Sequence, residues 1–190
     1  IMIKGEKIRL DIHKILTLIY RFNKTLNSGS IKKIIYKYGT SDVNFLNTVL
    51  LNTMRYQYHI TKIINIYVNR KLREQEKILL LSAITQIVFL SFKDYAVINC
   101  SVEIAKKLKI YHGFINACLK NISKNKKKLS KIEISYNDLP NWFINKTDDI
   151  STIDKKNFIN NFNQESSIHI VFKNNIEMRK FEEEIVETTN

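Results

Sequence analysis

Proline is almost missing from this chain: Pro140 is the only one, and four scattered glycines, Gly5, Gly29, Gly39 and Gly113, complete its stock of chain-bending residues over 190 positions. With so little turn chemistry, and no alternation of apolar and polar residues up to Lys131, nothing there reads as a sheet. Isolated glycines also exclude the glycine-rich turn through which a Rossmann-like fold brings its backbone close to a nucleotide cofactor. The two cysteines, Cys100 and Cys118, are too few and too poorly spaced for a disulfide framework or a zinc site, which fits a reducing cytoplasm. His13, His59, His112 and His169 fall in different segments with no cysteine or carboxylate at ligand spacing, so no metal is expected. Long apolar runs are lacking too. The longest uncharged stretch, Ile78 to Phe92, contains Ser82, Thr85 and Gln86 and falls short of the ~20 residues of a membrane span. No signal-peptide pattern opens the sequence. A cytoplasmic protein without a membrane or metal partner is the expectation.

Acidic residues are scarce in the first two thirds of the chain. The whole sequence carries 31 Lys and Arg against 18 Asp and Glu, but Ile1 to Lys131 holds 25 basic and 7 acidic residues, while Ile132 to Asn190 holds 6 and 11. An excess concentrated in one region suits a polyanion, and RNA or DNA is the expected partner.

What is present is helical periodicity. Ile8, Ile12, Ile15, Ile19 and Phe22 mark an amphipathic helix over Glu6 to Lys24, with Lys7, Lys14 and Arg21 recurring every seven residues on another face. Asn27 to Ser30 breaks it before a short helix from Ile31 to Tyr38, closed by Gly39. Ser41 and Asp42 start a longer stretch to about Asn69, with a kink expected near Gln57 to His59. Arg73 to Leu90 reads as the central buried helix. Asp94 is the expected cap of a helix from Tyr95 to Lys109, and Tyr111 to Gly113 the joint before one from Phe114 to Ser123. Lysine-rich Lys124 to Lys131 reads as a linker. Beyond it, Leu139 to Phe143 looks like a helix start with proline in the first turn and Trp142 as a packing anchor. Asp154 to Phe162 reads as a helix, Ser167 to Phe172 as a strand, and Asn175 to Val186 as a last helix. The fold class is therefore all-α, a bundle of six to seven helices over residues 1–131. The start of a small α+β module follows over residues 132–190.

The order of these helices carries a resemblance. Ala96 or Val97, with Asn99, Val102, Glu103, Ala105 and Lys106, fill the pattern A-x-N-x-x-V-E-x-A-K. Gly113, Phe114, Asn116, Leu119 and Ile122 fill G-F-x-N-x-x-L-x-x-I. Both resemble the second half of the NusB family domain. Upstream, Asp42, Phe45, Leu46 and the segment LLNTMRYQYHI resemble the family's D-x-x-F-x-x-x-L-x-x-G-x-x-R helix, although Asn52 stands where glycine is usual. The continuation Leu139 to Thr147, LPNWFINKT, with IHIVFKNN from Ile168, resembles the segment that follows this domain in RsmB-type (Sun/Fmu) ribosomal RNA methyltransferases. Those enzymes methylate carbon 5 of a cytosine in small-subunit rRNA.

The resemblance implies an RNA-binding domain whose first helix faces RNA. The candidate contacts are Lys4, Lys7, Arg9, Lys14 and Arg21 on that helix. A second candidate patch comprises Lys120, Lys124, Lys126, Lys127 and Lys128. For the second patch, a solvated linker is an equally good reading of the lysines. Tyr20, Phe22, Tyr36 and Tyr38 lie near the basic helices, where any not in the core would stack on bases. The resemblance also implies S-adenosylmethionine as cofactor of the full-length enzyme, bound and used in a catalytic domain outside these residues. Neither catalytic nor cofactor-binding residues are expected within them. Cys100 and Cys118 read as core residues, not nucleophiles. The alternative is a freestanding NusB-like antitermination factor that binds leader RNA together with a ribosomal protein. A pure protein adaptor is a third reading.

Overall fold

A computed structural model describes residues 4–162 and 170–189. Among the described residues the chain forms helices and no strand. The helices are α1 (Lys4–Phe22), α2 (Gly29–Ile35), α3 (Thr40–Arg55), α4 (Gln57–Tyr67), α5 (Glu74–Ile84), α6 (Asp94–Lys107), α7 (His112–Lys124), α8 (Lys126–Leu129), α9 (Asn141–Lys146), α10 (Thr152–Phe162) and α11 (Asn175–Thr189). None is long and apolar enough to cross a membrane.

Two cores share one central element. Ile8, Ile12, Ile15 and Leu16 on one face of α1 meet Ile31 of α2, Leu46, Val49 and Leu50 of α3, and Ile78 of α5. Ile60, Ile63 and Ile64 of α4 enter a second core with Leu79 to Leu81 of α5, Val97 and Ile104 of α6, and Ile115, Leu119 and Ile122 of α7. Helix α5 is buried all round from Ile78 onward, as a helix serving both cores must be. Truncating one of these fully buried leucines or isoleucines costs about 2–5 kcal/mol. Tyr20, near the end of α1, packs against both cores and so sits at their seam.

Local chemistry sets the joints. Helix α1 stops at Asn23, which adopts a left-handed φ of 51°, and the Lys24 N–H reaches back to the Leu18 carbonyl at 3.0 Å. The kink expected near Gln57 is a full break at Tyr56 (φ −95°, ψ 12°), which turns α4 towards the second core and stacks Tyr56 on Phe89 with centroids 4.3 Å apart. Helix α5 continues into a π turn, Thr85–Phe89, closed by a left-handed Ser91. At Gly113 a Cβ would lie 3.1 Å from the ring of the exposed Tyr111, which would have to shift slightly to admit it.

Four expectations need correction. Asp94 does not cap α6; its carboxylate instead takes the Ser123 hydroxyl at 2.5 Å and the Lys126 ammonium at 2.8 and 3.0 Å, tying α6 to α7 and α8. Lys124 to Lys131 is not a linker, because α8 forms within it and Leu129 is buried in the second core. Trp142 is not an anchor. It is 65% exposed, edge-on to Phe143, and Phe143 is the ring that packs inward on Phe158. Of the strand expected over Ser167 to Phe172, residues 167–169 lie outside the described residues, and Ile170 to Phe172 form no strand.

Residues after Lys131 fold back on α4. Ile134 and Leu139 are buried, the Lys62 ammonium donates to Asp138 at 2.9 Å, and Tyr58 meets the Phe162 ring. Pro140 supplies the N-cap of α9, where its missing N–H costs nothing.

Candidate nucleic-acid interface

Seven-residue spacing drifts by only about 20° per step around a helix, so Lys7, Lys14 and Arg21 keep to one side of α1. All three are exposed. Lys14 donates to one Asp11 carboxylate oxygen at 2.7 Å, and the Tyr38 hydroxyl donates to the other at 2.8 Å. Asp11 therefore pins the chain just past α2 against the α1 stripe. That contact brings in cations the sequence reading missed: Lys32, Lys33 and Lys37 are exposed and have no acidic partner among the described residues. Their signal was the placement of Lys32, Lys33 and Lys37 around the buried Ile31, which forces the lysines of so short a helix outward. Arg21 lies 3.5 Å from Glu74 and its guanidinium covers the Phe22 ring at 5.3 Å. Tyr36 is 79% exposed beside these lysines.

Arg9 behaves differently from the stripe. Its Nε donates to Gln86 Oε1 at 2.7 Å, its Nη1 to the Gly5 carbonyl at 3.0 Å, and its guanidinium stands over Phe45 at 5.1 Å. The π turn presents Gln86 to it, with the amide nitrogen of Gln86 held on the Ser82 carbonyl at 3.0 Å. Most of the Arg9 bonding capacity is thus spent joining α1 to the end of α5. Lys4 lies in the first turn of α1.

The second patch is rigidly mounted. Lys120 and Lys124 project from α7, and Lys127 and Lys128 from α8, all exposed. Lys126 is the exception, half-buried on Asp94. Burial would raise the Asp94 carboxyl, but the Lys126 and Ser123 hydrogen bonds outweigh it and hold the group below the usual carboxylate range.

Six of the seven acids in the basic region meet cations of the same region. Glu6 meets Lys107, Asp11 meets Lys14, Glu74 meets Arg21, Glu76 meets Arg70 and Arg73, Asp94 meets Lys126, and Glu103 meets Lys106. Among the cations left over, Lys7, Lys32, Lys33 and Lys37 on one side and Lys120, Lys124, Lys127 and Lys128 on the other face solvent without acidic partners among the described residues. Such a surface attracts phosphate and releases counterions when it binds.

Reactive chemistry is poorly served. Burial pushes the Cys118 thiol up to about 11, and burial likewise raises Cys100 despite the neighbouring Arg9. Neither thiol is poised as a thiolate nucleophile. His13 is buried, its Nε2 2.6 Å from Gln75 Oε1, and burial lowers its pKa. Among the described residues no group of His, Cys, Asp or Glu could hold a metal ion. Three glycines, Gly5, Gly29 and Gly113, sit within helices; the fourth, Gly39, immediately precedes one, and none has a positive φ. Among the described residues there is thus no glycine-rich turn of the kind that brings a Rossmann-like backbone close to a nucleotide cofactor.

A profile described as the NusB family matches residues 15–124, more than half of the chain. The match runs from the middle of α1 to the end of α7, and includes Arg21, Lys120 and Lys124. No curated protein matches the sequence.

Proposed function

The chain belongs to the NusB family, and from that premise we propose that it binds RNA along the α1–α2 face and the α7–α8 patch. In its finer form, the proposal is that this surface positions small-subunit rRNA for S-adenosylmethionine-dependent methylation of a cytosine at carbon 5, by a catalytic domain outside these residues. The single observation that carries RNA binding is the set of exposed lysines left without acidic partners among the described residues, in a region where six of the seven acids are paired internally. Lysine ammoniums act here as point charges against phosphate, so they fix the path of the strand without reading its bases.

The rRNA reading is favoured over a freestanding antitermination factor by residues 132–162. They form a folded appendage on α4, through Leu139, Asp138 and Phe162, where the resemblance places the segment leading to a methyltransferase domain. The test is a competition between labelled fragments of small-subunit rRNA and a leader RNA for the whole chain. An rRNA fragment binding at least about tenfold more tightly is expected, roughly 1.4 kcal/mol. Preference for leader RNA that requires a ribosomal protein would support the antitermination role instead.

A further inference from the structure

Helix α6 runs between the two cation patches and is fastened at each end to one of them. In its first turn the Asp94 carboxylate holds Ser123 of α7 and Lys126 of α8, next in sequence to Lys124 and Lys127. In its last turn Lys107 pairs with Glu6, the neighbour of Lys7 on α1. The 14 residues of α6 cover about 21 Å at a rise of 1.5 Å per residue. Tyr95, Asn99, Val102 and Lys106 follow one another at steps of four, three and four, the spacing that keeps side chains on one side of a helix. Tyr95 is 66% exposed. Asn99 is exposed too, and its amide has no hydrogen-bond partner among the described residues. Lys106 holds the Glu103 carboxylate at 2.6 Å, so both acids of α6, Asp94 and Glu103, are paired. Lys93, just before the helix, and Lys109, just after it, are exposed without acidic partners among the described residues.

We infer that α6 is the bridge of one continuous RNA track. A strand engaging the α7–α8 lysines continues along the outer face of α6 to the α1–α2 lysines, with one unpaired base stacked on Tyr95 and another hydrogen-bonded to Asn99. Each chemical feature of that face has a counterpart in RNA. The bare tyrosine ring offers a stacking platform that any base fits, and the free amide both donates and accepts, as the edge of a base does. Lys93 and Lys109 set positive charge at either end for the backbone. A protein partner would need an apolar centre inside a polar rim, whereas the exposed side chains beyond Tyr95 on this face, Asn99 and Lys106, are polar. At about 3.4 Å between successive phosphates of a stacked strand, about six nucleotides cover the helix. The inference rests on the RNA-binding reading, and it turns two separate patches into a single site.

The test uses the full chain, the rRNA fragment that binds it, and 4-thiouridine placed at successive positions for photo-crosslinking. Crosslinks are expected in order along one strand, with those to the outer face of α6 falling between those to α7–α8 and those to α1–α2. Tyr95→Ala should lower affinity roughly tenfold while the melting temperature stays within a few degrees, because the ring is exposed. Tyr95→Phe should keep most of the affinity, since it retains the stacking face. Asn99→Ala should lower affinity about threefold. Wild-type affinity in both alanine variants, or crosslinks to both patches with none to α6, overturns the inference and leaves RNA binding standing. No binding of any RNA by the wild type overturns both.

Discussion

Replacing Lys7, Lys32, Lys33 and Lys37 together by glutamate lowers RNA affinity roughly a hundredfold at moderate salt, and reduces the slope of log affinity against log salt by about 3. These four are chosen because each is exposed and lacks an acidic partner among the described residues. Reversal there removes phosphate contacts without breaking an ion pair, so the melting temperature should stay within a few degrees. Lys14 and Arg21 are poorer probes. Each faces a carboxylate, Asp11 and Glu74, and reversal would set two negative charges against each other, mixing loss of stability with loss of binding. The same treatment of Lys120, Lys124, Lys127 and Lys128 reports on the second patch, and its effect should be of similar size if one RNA spans both. Filter binding or fluorescence anisotropy measures either set. Unchanged affinity in the first set would remove the α1–α2 face from the account.

Glu76→Ala is expected to destabilise the fold by about 2–4 kcal/mol, because it strips a fully buried carboxylate from three donors. Arg70 grips both carboxylate oxygens at 3.0 and 3.1 Å, the Arg73 backbone N–H donates at 2.9 Å, and the Arg73 guanidinium adds a longer contact. Arg70 also lies over the Phe114 ring at 4.4 Å, so one acid ties the start of α5 to α7. A loss of that size lowers Tm by roughly 4–16 °C in a chain of this length. The pH dependence follows from the direction of the shift. The Arg70 hydrogen bonds, acting against burial, hold the Glu76 carboxyl below its ordinary range in the folded state. Its contribution is therefore complete above the unfolded pKa of about 4.3 and is lost as pH falls through the lower folded value. The gap between wild-type and variant melting temperatures should be full at pH 7 and narrow in acid. A gap that stays constant down to the lowest pH at which the wild type folds would contradict this assignment.

Much of the architecture was legible because it is written in period. Ile8, Ile12 and Ile15 on α1, the charge-free run from Ile78, and the two family patterns on α6 and α7 fix which faces are buried, and the helices formed where these faces required them. What stayed hidden depends on contacts between distant residues. Lys7 and Arg9 look alike in sequence, yet only the position of Gln86 in the π turn decides that Arg9 is drawn inward. The π turn itself is a one-residue change in hydrogen bonding with no sequence marker. Asp94 has the composition of a cap, but Lys126 and Ser123, about thirty residues away, claim its carboxylate. The lysine run looked like a linker because five of its eight residues are charged, and one residue, Leu129, was enough to seat it. Lys32, Lys33 and Lys37 join the candidate surface through the Tyr38–Asp11 bond, which sequence spacing does not show.

Titrating an rRNA fragment into the wild-type chain at about 50 and 200 mM salt tests the central claim most directly. With the unpaired lysines of either patch engaged, at least four phosphates are neutralised, and affinity should fall by more than about 10-fold across that range. The same affinity at both salt concentrations, or no binding at either, would contradict an RNA-binding surface on this fold.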